Sequence, residues 1–198
     1  GSFIGYAAGF PLLMKTQFPE IDALSYAFLG PLVGALSRAG TGWISDKFGG
    51  GRVTFWTFLG MIVAVYGVLF FLPSEANPTG NFWSFFTCFM ALFFLTGVGN
   101  ASTFQMIPTI MQKEIPRLMP NLDEAELRKV SGRESAAIIA FTSAIAAYGA
   151  FFIPKAYGTS IGMTGAPNGA LWAFLIFYVV CLLVTWIFYS RKNAPVPC

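Results

Sequence analysis

The sequence contains no histidine and only three cysteines among 198 residues. Without imidazole there is no histidine-ligated metal, no histidine proton relay and no Ser-His or Cys-His nucleophile. Cys88 and Cys181 lie inside apolar runs and Cys198 stands apart, with no C-x-x-C spacing for zinc or redox chemistry. Buried apolar thiols are expected rather than a disulfide. Charge is as scarce: Asp, Glu, Lys and Arg make up 11% of the chain, against roughly 25% in soluble domains. So few charges cannot cover a water-exposed surface, which excludes a soluble enzyme. Disorder is excluded too, because it needs low hydrophobicity and high charge. A formal net charge of +3 is too small to suggest a nucleic-acid partner. No metal, cofactor or catalytic constellation is indicated, so an enzyme is not expected.

What the chain does have is apolar length. Hydrophobic residues make up 56%, with 22 Phe. A membrane-crossing helix needs about 20 apolar residues, and six stretches qualify or nearly so: 1–14, 23–45, 53–73, 82–112, 134–154 and 169–189. These runs far exceed the roughly 10 residues of a barrel strand, so an all-α membrane protein is expected. The first run is short, and the chain opens at Gly1 without an initiator Met. It reads as a piece of a longer protein whose first helix is truncated. Pro73, Glu75, Asn77 and Pro78 close the third run, and Arg191 and Lys192 stop the sixth. The fourth is long enough to tilt or to extend into the interface. Charged loops are expected at 46–52 and 113–132, the latter with room for a short amphipathic helix.

Orientation follows from Lys and Arg. Taking alternate loops together, one side holds Lys47, Arg52, Lys113, Arg117, Arg128, Lys129, Arg133, Arg191 and Lys192, and the other only Lys15 and Lys155. The first side is cytoplasmic by this rule, and with it the C-terminus.

The turn after the second run reads Gly42-Trp43-Ile44-Ser45-Asp46-Lys47-Phe48-Gly49-Gly50-Gly51-Arg52. Its glycines let two helix ends approach closely. Asp46 can accept from a helix N-terminus, while Lys47 and Arg52 can pair with acids or lipid phosphates. This turn resembles the G-x-x-x-D-[RK]-x-G-x-[RK] loop of the major facilitator superfamily, a fold of two six-helix halves. The resemblance implies the C-terminal half, partnered by an N-terminal half, surrounded by lipid and monomeric.

The fifth run reads Ala140-Phe141-Thr142-Ser143-Ala144-Ile145-Ala146-Ala147-Tyr148-Gly149-Ala150-Phe151-Phe152-Ile153-Pro154. Its small residues at helical spacing resemble the second nitrate signature of the bacterial nitrate/nitrite porters of the NarK type, with Ala140, Ala146 and Ala150 where that signature is richer in Gly. The fourth run, Gly97-Val98-Gly99-Asn100-Ala101-Ser102-Thr103-Phe104-Gln105-Met106-Ile107-Pro108, is also similar to that family. So is the opening, Gly1 to Tyr6. In the second run Arg38 stands where the family has its substrate-binding arginine. The resemblance implies transport of nitrate and nitrite across the bacterial inner membrane, with Arg38, Ser143, Phe141 and Ala140 at the substrate. It also implies a cytoplasmic gate around Gly42, Asp46, Lys47, Gly49, Arg52, Arg133 and Glu134, and a signature helix carrying Ala146, Gly149 and Pro154.

The residues support an anion site on their own. Arg38 is the sole charge well inside a run, and no Asp or Glu shares that interior. An unpaired guanidinium there costs about 2.5–3.5 kcal/mol on insertion scales. A planar forked donor suits a planar oxyanion. The alternatives are snorkelling, since Arg38 lies about 12 Å along a helix from Asp46, or pairing with an acid in the absent half. Ser143 either donates to the anion or bonds back to its own helix. Asn100 is expected to bridge two helices. The Gly30–Gly34 stretch reads as a close-packing surface, and Gly149 and Gly158 as points of flexion. The lack of a titratable residue in the runs favours anion exchange over proton symport. A porter for another anion, a proton carrier in the other half, and a non-transporting membrane anchor are the alternatives.

Overall fold

The structure, a computed structural model, describes residues 1–74, 78–191, 194–196 and 198. Glu75, Asn77 and Lys192, expected at the ends of the third and sixth runs, lie outside them. The described residues form α-helices: α1 (Ser2–Gln17), α2 (Ala23–Ala27), α3 (Leu29–Gly40), α4 (Gly42–Phe48), α5 (Gly50–Phe71), α6 (Phe82–Leu118), α7 (Glu124–Ala147), α8 (Gly149–Thr164) and α9 (Asn168–Thr185). A π-helical turn, Trp186–Ser190, continues α9. Among the described residues four stretches are long and apolar enough to cross a membrane: α5, α6, α7 with α8, and α9 with its π-turn.

The first two expected spans are built from shorter pieces. Helix α1 has 16 residues. The second span divides into α2, α3 and α4, for local reasons. Pro31 has no N–H to give the carbonyl four residues back, so the helix breaks at Phe28. Gly40 and Gly42 flank the second break at Thr41, whose Oγ1 caps back to the Ser37 carbonyl at 2.6 Å. Gly49 ends α4 with φ of 88°, a backbone setting that favours glycine.

The expected loop at 113–132 is mostly helix. Helix α6 runs on to Leu118, and α7 starts at Glu124. The Asp123 side chain caps α7 by accepting from the Glu126 N–H at 2.7 Å, and Glu124 and Glu126 in the first turn suit the helix dipole. A charged helix end looks like a loop in a hydropathy reading, and that accounts for the difference. Likewise α8 continues through the Gly-, Ser- and Thr-rich stretch to Thr164.

Helix α6 is the centre of the bundle and packs on α5, α3 and α7. Its 37 residues span about 55 Å at 1.5 Å each, well beyond the hydrocarbon thickness. The core is aromatic. Phe10 of α1 stacks on Phe89 at 4.5 Å between centroids and meets Phe93 edge-on at 5.6 Å. Where lipid replaces water, packing and interhelical hydrogen bonds must hold such helices together. Small residues allow it on α3: Gly30, Gly34 and Ser37 are buried on one face. Across from them Gly97 of α6 leaves no room for a Cβ against Ser37 and Gly34. The Ser37 Oγ lies 2.9 Å from the Phe94 carbonyl and 3.0 Å from that of Gly34, so one proton serves both.

Candidate functional site

The seam between α3 and α6 determines where Arg38 goes. Ser37 is turned into the seam, which leaves Arg38, the next residue, on its flank. The guanidinium carbon lies 5.3 Å from the centre of the Phe104 ring, one face of α6 carrying both Gly97 and Phe104. Arg38 is exposed, and no carboxylate among the described residues lies within ion-pair distance of it.

Phe104 is also a wall of a cavity of about 410 Å³ between α1, α5, α6, α7 and the end of α9. Asn100 and Thr103 of α6, Thr54 and Thr57 of α5, and Ser143 of α7 share its lining. Arg38 is beside this cavity, with Phe104 between them. Among the described residues no Asp, Glu, Lys or Arg side chain lines it.

The hydroxyls differ in what they offer. Thr57, Thr103 and Thr142 donate to their own helices, to Val53, Gly99 and Ile138, at 2.7–2.8 Å. Thr54 lies 2.8 Å from the Ser102 Oγ. These groups turn lone pairs, not protons, to the cavity. Of the cavity's serine and threonine hydroxyls, Ser143 alone has no hydrogen-bond partner among the described residues. The back-bond to the preceding turn is absent, so Ser143 keeps a donor for a ligand.

Asn100 departs from its expected role as a helix bridge. It lines the cavity, and its Oδ1 is buried without a partner. Neither Phe104 nor the threonines of α5 were singled out from sequence. The signal was present on α6, where Asn100, Thr103, Phe104 and Ile107 follow helical spacing and all line the cavity.

The remaining site residues are spread over the bundle. Ala140 and Phe141 are exposed, Phe141 at 69%, and neither lines the cavity. Ala146 does line it. Gly149 abuts the Gly1 backbone too closely for a Cβ, and Pro154 lies within α8. Gly42 and Gly49 bound α4. Asp46, Lys47, Arg52, Arg133 and Glu134 are all exposed, and no ion pair joins them among the described residues. Gly158 has open space around it. No group of His, Cys, Asp and Glu suited to a metal ion occurs among the described residues.

No family model matches the chain. Curated relatives do. It is 48% identical over 195 residues to the nitrate/nitrite transporter NarU of Escherichia coli K12, covering 98% of this chain and 42% of that protein. By descent the chain belongs to the NarU and NarK family. NarU of Salmonella typhimurium LT2 is 47% identical, again over 98% of this chain and 42% of the relative. The probable nitrate/nitrite antiporter NarK2 of Thermus thermophilus is 34% identical over 100% of this chain and 41% of its own length. The chain thus spans about two fifths of the length of these relatives. With its all-helical bundle it forms half of a major facilitator fold, in a multi-pass membrane protein.

Proposed function

We propose that the protein containing this chain exchanges nitrate and nitrite by alternating access, without converting either chemically. The carrying observation is Arg38: a guanidinium with no carboxylate partner among the described residues, held by Phe104 beside a polar cavity. An anion is the partner that such a group lacks, and a forked donor matches a planar oxyanion. Ser143 supplies a second donor, and the names of the relatives supply the anion. Ala140 and Phe141 act beside Ser143 when α7 faces the other half of the porter. This chain is the C-terminal half in that reading, and its partner is the N-terminal half of the same monomer.

Exchange is favoured because no Asp, Glu or His among the described residues lines the cavity. A bare positive site resists reorientation across lipid, and a bound anion removes that barrier. The porter lies in the bacterial inner membrane with the Lys- and Arg-rich ends and the C-terminus in the cytoplasm. There Asp46, Arg133 and Glu134 form the gate by pairing across to the other half, with Gly42, Lys47, Gly49 and Arg52 shaping the turn beneath it. Ala146, Gly149 and Pro154 give α7 and α8 the close contact and bend for closing.

The test uses the full-length protein in vesicles loaded with nitrite. External nitrate should release nitrite, external chloride should not, and a proton uncoupler should change neither. Release that follows the pH gradient instead would establish proton symport. No release by nitrate from folded protein would remove nitrate as the substrate.

A further inference from the structure

Two cavities at the Lys- and Arg-rich end of the bundle meet at Phe48 and Arg52. One, of about 410 Å³, is lined by Arg52, Lys113 and Arg191 together with Tyr189, Ser190 and Cys198. Among the described residues no Asp or Glu side chain lines it, and neither Arg52 nor Arg191 has an ion pair; the Cys198 main-chain oxygen there accepts from the Gly51 N–H at 3.1 Å. The other, of about 400 Å³, is a groove between α4, α5 and α6 with walls of Ile44, Val53, Trp56, Phe94, Leu95 and Val98. Trp56 is 67% exposed, at the groove's outer lip. The cationic pocket and the apolar groove are therefore two ends of one amphipathic site, with Arg52 at the junction.

We propose that this composite site binds one anionic phospholipid. The phosphodiester seats against Arg52 and Arg191, whose forked donors suit phosphate oxygens. An acyl chain runs from there along the groove, past Trp56. Selectivity for an anionic head follows from charge: a zwitterionic head brings its own cation to a pocket that already holds Arg52 and Arg191. Because Arg52 starts α5 and Arg191 follows the π-turn, one headgroup ties two elements far apart in sequence together at the membrane surface. The site adjoins the polar cavity, sharing Thr57 and Tyr189 with its lining, but none of its cations lines that cavity and the proposal does not rest on the transport reading.

The experiment places full-length protein in phosphatidylcholine vesicles with a small fraction of brominated lipid, whose bromines quench nearby tryptophan. The headgroup is either phosphatidylglycerol or phosphatidylcholine. The difference between the native protein and Trp56→Phe isolates the Trp56 signal. Brominated phosphatidylglycerol should quench Trp56 at a several-fold lower fraction than brominated phosphatidylcholine. Arg52→Gln with Arg191→Gln should abolish that preference, and the paired Lys substitutions should retain most of it. Arg191→Gln alone, outside the α4–α5 turn, should weaken it in a fold that leaves the turn intact. Equal quenching by both lipids in the native protein would overturn the proposal, as would a preference that survives both Gln substitutions. Relief of the quenching by soluble glycerol phosphate would also overturn it, in favour of a free phosphate ligand.

Discussion

The Arg38 guanidinium carbon lies 5.3 Å from the centre of the Phe104 ring, and Phe104 is a wall of the polar cavity. The ring therefore has two tasks, holding the cation and bounding the space beside it. A cation–π contact is worth about 0.5–1 kcal/mol at an exposed site. That is enough to orient a side chain yet too little to prevent its movement toward an anion.

Arg38→Lys should abolish most nitrate exchange although the charge stays, because an ammonium cannot grip two oxygens at once. Arg38 is exposed, so the thermal midpoint of the full-length protein should hardly move. Nitrite release from vesicles together with a melting curve checks both points. Phe104→Leu should raise the KM for nitrate more than it lowers the maximal rate, since it frees the arginine without removing it.

Ser143→Ala should raise the KM for nitrate by about ten- to a hundredfold, a hydrogen bond to a charged group being worth about 1.5–3 kcal/mol. Thr142→Ala is the matched control. Its hydroxyl already donates to Ile138, so its KM should stay within twofold, taken as roughly the scatter of surface changes. Equal effects of the two substitutions would remove Ser143 from the site.

Gly97→Ala should lower stability by about 1–3 kcal/mol, the range for overpacking a close contact. The new methyl meets Ser37 and the Gly34 carbonyl, both on α3. Since α3 carries Arg38, exchange should fall as well. Thermal unfolding and nitrite release measured on the same preparation would show the two losses together.

Tyr178→Phe should destabilise more than Tyr6→Phe. The Tyr178 hydroxyl lies 2.7 Å from the Tyr6 hydroxyl and 2.9 Å from the Ser2 Oγ, joining α9 to α1. Removing it breaks both bonds and leaves the Tyr6 hydroxyl buried, at about 1–3 kcal/mol for an unsatisfied group. Removing the Tyr6 hydroxyl breaks one bond and leaves Tyr178 bonded to Ser2. Comparing the two melting curves decides the order.

Much of the architecture was legible because membrane helices announce themselves by local composition. The long apolar runs of α5, α6 and α9 need no information from elsewhere in the chain, since each helix satisfies its own backbone within lipid. Helix ends were less legible. Hydropathy stops at Lys113 and Arg133, yet α6 and α7 continue past those charges, because a helix needs its backbone bonds and not apolar side chains once it leaves the hydrocarbon.

Composition and residue order by themselves determined an all-helical membrane chain, its excess of cations at one end, the family motifs, and Arg38 as the unmatched charge. These are local properties, readable one segment at a time. Only the tertiary structure decided which side chains meet. It placed Phe104 under Arg38, brought Ser143 and Asn100 to one cavity, turned Phe141 outward, and joined Arg52 and Arg191 across residues far apart in sequence. Those relations depend on how closely helices approach and how each is rotated. Contacts such as Gly97 against Ser37 set both, and no single helix contains such a contact.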